Sequence, residues 1–132
     1  MSRLVIGVGF REQASAQSIG EVLAGVAAHA AMPGAACAIV VPEDKAAHPS
    51  LRLAAQATRL PIETVAASAM RQADARVATR SPQVTRHRGV GSVCEAAALA
   101  GAGCGARLVV TRMVSSDRHA TAAAAILEES AP

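Results

Sequence analysis

The sequence predicts an α/β protein whose parallel strands are buried between helices. Three observations carry that expectation. Two short runs, Leu4-Val5-Ile6-Gly7-Val8-Gly9 and Cys37-Ala38-Ile39-Val40-Val41, are continuously apolar and rich in β-branched residues, as strands covered on both faces are. Between them Ile19, Val22, Leu23, Val26, Ala27 and Ala30 recur at helical spacing, so this part of the chain reads as a βαβ unit with parallel strands. Alanine supplies 33 of the 132 residues and Phe10 is the sole aromatic, so the layers must approach closely, with Val, Ile and Leu as filling.

A chain of this length suits one domain over residues 1–132, burying about two-thirds of its unfolded surface. Cys37, Cys94 and Cys104 are odd in number and form no CxxC pair, which argues for a reduced protein without a disulfide scaffold. The start of the chain enters a strand pattern without a signal-peptide core, and no apolar run reaches membrane-spanning length. The expectation is a cytoplasmic protein with no membrane partner. A net charge of +3 permits an acidic partner. With no Trp, no Tyr and one Phe there is no stacking platform for single strands, so nucleic acid is not expected.

Taken in order, the first strand ends in Gly9-Phe10-Arg11, after which Ser15 or Ser18 caps a helix that Met32-Pro33-Gly34 stops. Gly7-x-Gly9 lacks the third glycine of a dinucleotide fingerprint, Glu12 standing there, which leaves a Rossmann-like nucleotide site as an alternative only. The second strand runs into Pro42-Glu43-Asp44-Lys45. Ligands of open α/β sheets bind beyond the carboxyl ends of the strands, so these charges are candidates. A helix carrying Leu51, Leu53, Ala54 and Ala57 follows His48-Pro49-Ser50 and ends near Leu60-Pro61. Ile62 to Val65 is a short strand and 66–72 a helical piece.

Arg76, Arg80, Arg86, His87 and Arg88 make a basic loop broken by Ser81-Pro82, either a solvated surface or a flap for carboxylates. It leads into Gly89-Val90-Gly91-Ser92-Val93-Cys94-Glu95, a glycine turn feeding a helix over 92–100. Ser92 is a good N-cap, and Glu95 three residues on is placed to reach back to the cap's own N–H as a capping box. The N–H groups of Gly91 to Val93, with the positive end of the helix dipole, suit a carboxylate or phosphate. Gly101, Gly103 and Gly105 form the stop. Arg107-Leu108-Val109-Val110-Thr111 is a strand with Arg112 at its end, and Ser115-Ser116-Asp117-Arg118 a turn. Thr121 to Leu127 is helical by propensity.

For chemistry, Glu43 and His119 are the candidate catalytic bases. Cys94 sits where a helix dipole lowers a thiol pKa, but a cysteine among alanines reads as packing. Cys94, Cys104 and His87 lack zinc-ligand spacing, and His29, His48, His87 and His119 are isolated. No metal site and no required cofactor follow.

Several of these pieces resemble the family of the cobalamin-biosynthesis protein CobE and the C-terminal domain of the related CbiG. They are Gly7-x-Gly9-Phe10-Arg11 with Ser15, Glu43-Asp44-Lys45, Ser81-Pro82-x-Val84, Gly89-x-Gly91-Ser92-Val93-x-Glu95-Ala96-Ala97-Ala98-Leu99, and Arg112-x-x-Ser115 with Ala120-Thr121-x-Ala123. The ordered set runs almost from end to end. The resemblance implies a three-layer α/β/α fold with a mostly parallel, mixed sheet of about five strands, and it turns 120–127 from helix to strand. It also implies a role in building the corrin ring. The ligand would be a precorrin or corrinoid, whose rim of acetates and propionates suits Gly9, Phe10, Arg11, Lys45, Gly89, Gly91, Ser92, Val93, Arg112 and Ser115 as binding residues. A binding or accessory protein that passes an intermediate to other pathway enzymes, and a CbiG-like hydrolase of a precorrin lactone, are the two readings it leaves. A homodimer stays open. The expectation is that Arg11, Lys45 and Ser92 meet around one cationic hollow, and the reading falls if they stand on opposite sides of the molecule.

Overall fold

In a computed structural model, which describes residues 2–30, 36–80 and 90–128, the sheet is built outward from β1 (Ser2–Phe10). On one side β1 pairs in parallel with β2 (Ala36–Pro42), which pairs in parallel with β3 (Ile62–Val65). On the other side lies the antiparallel strand β5 (Ala120–Glu128), and beyond it β4 (Arg107–Val114), antiparallel to β5. The order β3-β2-β1-β5-β4 is a mixed five-stranded sheet in which only β5 runs against the rest. The carboxyl ends of the other four strands therefore share one edge with the start of β5.

Side-chain alternation along β1 explains the layers. Leu4, Ile6 and Val8 face α1 (Ala16–Ala30) and α2 (Pro49–Thr58), packing with Ile19, Leu23, Val26, Leu51 and Ile39. Val5 faces the opposite layer of α3 (Ala67–Ala73) and α4 (Val93–Ala102), with Val40, Leu99 and Ala125. Ser15 caps α1, its Oγ accepting the Ser18 N–H at 3.0 Å. His48 caps α2 through Nδ1, which accepts the Ser50 N–H at 3.2 Å, with Pro49 at the first helical position.

The alanine excess is spent where α4 rests on the sheet. A Cβ on Gly7 would overlap the Cys94 carbonyl oxygen and stand 2.5 Å from the Ala98 nitrogen, so helix and strand backbones nearly touch. Gly101 meets Val40 in the same way, its virtual Cβ 2.6 Å from a Val40 methyl. Gly101 is thus inside α4 rather than part of its stop, and Gly103, at φ +123°, ends the helix. β5 is alanine-rich for the same reason: Ala122 to Ala125 are fully buried, and the strand pairs with β1 from Ser2–Glu128 to Phe10–Ala120. Complete pairing and burial override the helical propensity of that segment.

β4 runs further than the sequence suggests. Arg112 lies within it, at a break in register between Val110 and Met113. The Met32-Pro33-Gly34 stop, Ser81, Pro82, Val84, Arg86, His87, Arg88 and Gly89 lie outside the described residues. Among the described residues no helix is long and apolar enough to cross a membrane.

Candidate functional site

The carboxyl edge is organised around the tip of β1. Phe10 points toward the α1–α2 layer, with Lys45 Nζ 5.1 Å from its ring centroid and the His48 ring edge-on at 5.0 Å and 75°. The ring is therefore partly covered by the protein's own residues. The Glu12 carboxylate bridges Lys45, at 3.7 Å, and His48 Nε2, at 3.5 Å, and is 83% exposed. Because His48 Nδ1 is an acceptor, Nε2 carries the proton and donates to the Glu12 carbonyl at 2.8 Å. Gly9 points to the other face, where Val93 and Thr121 pack against it, and the Thr121 hydroxyl donates to the Gly9 carbonyl at 3.2 Å. Arg11 is exposed, and its backbone N–H donates to the His119 carbonyl at 2.8 Å.

Arg11, Lys45 and Ser92 all lie on this one edge, but the sheet runs between them. Lys45 belongs to the α1–α2 side, while Ser92 begins α4 on the opposite side and is 3% exposed. They form a rim across the edge rather than one hollow. Ser92 Oγ accepts the Glu95 N–H at 3.5 Å and stands 3.5 Å from Cys94 Sγ. Burial above all pushes the Cys94 thiol up, which fits a packed rather than a nucleophilic cysteine.

Only the Ser92 half of the capping box forms. Glu95 does not reach back to the cap: its Oε1 accepts the N–H groups of Ala78 and Thr79, at 2.9 and 2.7 Å. Its Oε2 accepts the Thr79 hydroxyl at 2.9 Å and the Arg112 N–H at 2.8 Å. The fold brings donors from two distant segments to this carboxyl group, and four such bonds outweigh one local bond. The glycine turn is likewise committed inside the chain. Gly91 N–H donates to Asp74 Oδ1 at 2.7 Å, and the Arg80 guanidinium stands 3.2 Å from Asp74 Oδ2. Gly91 first, then Arg80, hold the Asp74 carboxyl below the ordinary carboxylate range. The anion on this N–H is the protein's own.

The turn between β4 and β5 is also internally satisfied. Ser115, 3% exposed, donates to Asp117 Oδ1 at 2.6 Å and accepts the Ala120 N–H at 3.1 Å, so its hydroxyl serves the turn. The Ser18 hydroxyl donates to Asp117 Oδ2, and the Ser116 N–H and hydroxyl both donate to the Glu21 carboxylate at 2.9 Å. The hydroxyls of Ser115 and Ser18, then the His119 N–H, hold the Asp117 carboxyl well below its usual range. His119 Nδ1 stands 3.5 Å from Asp117 Oδ2. Glu43 lies elsewhere, at the end of β2, on a cleft of about 190 Å³ with Asp44, Val65 and Met70. No hydrogen bond or ion pair joins Glu43 to His119 among the described residues. No group of His, Cys, Asp and Glu that could hold a metal ion occurs among the described residues.

Glu12, His48, Asp74, Asp117 and Thr121 shape this edge and were not among the site residues expected from sequence. His48 had a local signal, as a polar residue immediately before a helix-starting proline. Asp117 also had local partners in Ser115 and His119, but the Glu12 pairing with Lys45 and His48, the Asp74 contact with Gly91, the Ser18 contact with Asp117 and the Thr121 contact with Gly9 join distant segments that no spacing announces.

The model of the family described as Cobalamin synthesis G C-terminus matches residues 4–125. Among solved structures the chain is similar to CobE, a protein from the cobalamin (vitamin B12) biosynthetic pathway, at 27% identity and a TM-score of 0.86, covering 98% of this chain and 94% of that one. It is also similar to the cobalamin biosynthesis protein chiG from Agrobacterium tumefaciens strain C58, at 34% identity and a TM-score of 0.70, covering 96% of this chain and 99% of that one. Comparison with curated proteins gives no match.

Proposed function

The chain belongs to the cobalamin synthesis G C-terminus family, and from that premise we propose that it acts in corrin-ring formation by binding a carboxylate-rich precorrin or corrinoid as an accessory or carrier protein. The observation that carries this reading is the tip of β1, where Phe10 lies beneath the Lys45 ammonium and is followed at once by the exposed Arg11. Cations spaced along one edge, beside an aromatic ring that Lys45 and His48 partly cover, suit a flat macrocycle with acidic arms. Across the sheet, Val93 and Arg112 extend the same edge. The cleft of about 190 Å³ at Glu43 is smaller than the roughly 300–1,000 Å³ of enclosing ligand pockets, so that cleft does not enclose the ring. The carrier works in the cytoplasm, needs no metal or cofactor of its own and hands its ligand to neighbouring pathway enzymes.

The macrocycle reports its own binding. Titration with cobyrinic acid, a corrin with free carboxylate arms, is expected to shift its absorption bands saturably, whereas cobinamide, whose arms are amides, binds much more weakly. Equal binding of both would overturn the carboxylate reading. Saturable micromolar binding of NAD(P) or FAD would favour a nucleotide site instead.

A second reading, hydrolysis of a precorrin lactone, has one observation in its favour: Asp117 stands beside His119 on this edge, as a carboxylate orienting a general base would. Incubation with a lactone-containing precorrin separates the two. A ligand that copurifies at unchanged mass supports the carrier, and a change of mass supports the hydrolase.

A further inference from the structure

Glu95 is 0% exposed in the first turn of a helix otherwise built almost wholly of small apolar residues. Burying a carboxyl group is costly, and among the described residues no lysine, arginine or histidine pairs with it. It is satisfied instead by four donors from two segments: Ala78 and Thr79 on one side and the Arg112 backbone on the other. The Arg112 N–H comes from the break in register of β4 between Val110 and Met113. Bulges of this kind re-aim side chains beside functional sites, and here the freed N–H is caught by a residue of another element.

We propose that Glu95 is a positioning residue: its carboxylate holds the β4 bulge in the form that presents Arg112 to the carboxylates of a ligand on this edge. The assignment rests on the corrinoid reading above. Glu95 does not touch the ligand and acts through Arg112. Its grip on Ala78 and Thr79 ties the same point to the segment that precedes Arg80, so both edges of the α4 start are set by one group.

A double-substitution cycle tests this with cobyrinic acid as the probe. Glu95→Gln keeps the size of the side chain but puts an NH2 group where one acceptor oxygen stood, and that group cannot accept from the Arg112 N–H. It is expected to weaken binding about tenfold in the wild-type background and to change nothing further once Arg112→Ala is present. An equal loss in both backgrounds, or no loss in either, overturns the proposal. Amide exchange on the unsubstituted protein reads the same contact should Glu95→Gln not fold: exchange at the Arg112 N–H slows when cobyrinic acid binds, and unaltered exchange overturns the proposal. Absence of any spectral change with the wild-type protein would overturn the corrinoid reading itself, and this one with it. Binding with an unlinked cycle would overturn the role of Glu95 alone.

Discussion

The backbone N–H of Gly91 donates to Oδ1 of Asp74 at 2.7 Å, so the glycine turn before α4 holds a carboxylate that the chain itself provides. Gly91 and Arg80 depress the carboxyl pKa of Asp74 in the folded state. A group depressed in this way contributes stability in full above its unfolded value of about 3.9, and the contribution is lost as pH falls through the lower folded value. The melting temperature of the wild-type protein is therefore expected to drop more steeply than that of Asp74→Asn as pH is taken from 5 downward. Asp117 has the same sign, through Ser115 and Ser18, and Asp117→Asn flattens the acid limb further. Parallel acid limbs in circular-dichroism melts would remove both groups from the pH dependence.

Gly7 marks the closest approach of α4 to the sheet. Gly7→Ala would drive a Cβ into the Cys94 carbonyl and to 2.5 Å from the Ala98 nitrogen, both main-chain atoms that no rotamer change can move. Separating α4 from β1 loosens the packing of Val5, Ala97 and Ala98 together. A loss of about 3 kcal/mol is expected, readable as a lower urea midpoint with little change in slope. An unchanged midpoint would mean that the helix shifts without cost.

Ser92 caps α4 with its hydroxyl and is buried beside Cys94. Ser92→Ala removes the acceptor of the Glu95 N–H and is expected to cost about 1 kcal/mol. Ser92→Asp restores an acceptor but brings a charge into a buried place, so it recovers less than its rank as a cap predicts. Denaturant titration of the two variants checks the order.

For ligand binding, Arg11→Ala and Arg112→Ala are each expected to weaken cobyrinic acid binding by about 1–3 kcal/mol, as the loss of a charge-assisted contact does. Lys45→Met belongs to the same test but also removes the cover over Phe10 and the pairing with Glu12. Unchanged affinity in both arginine variants would take them out of the site.

Much of the architecture is legible in local pattern because strands and helices differ in period. Leu4 to Gly9, Ile62 to Val65 and the helix after Ser92 are all set by neighbours within a few residues. The candidate site was legible only as a set of positions. Gly9, Phe10, Arg11 and Lys45 stand near one another because consecutive parallel strands bring their carboxyl ends to one edge. The sequence points Glu95 to a capping box because it stands three places after Ser92, whereas the donors that take it as a buried anchor, Ala78, Thr79 and Arg112, are distant and leave no local signal.

What the chain determines by itself is therefore the succession of β and α segments, the thin alanine-lined contact between α4 and the sheet, and the caps at Ser15 and Ser92. Each follows from side-chain size or from bonds within one turn. What only the tertiary structure decides is which donor each carboxyl group finds: Glu95 with Thr79 and Arg112, Asp74 with Gly91, Asp117 with Ser18. Those pairs join residues up to 99 positions apart, and a carboxylate is indifferent to sequence distance. It takes whichever N–H or O–H the packed backbone leaves without a partner nearby.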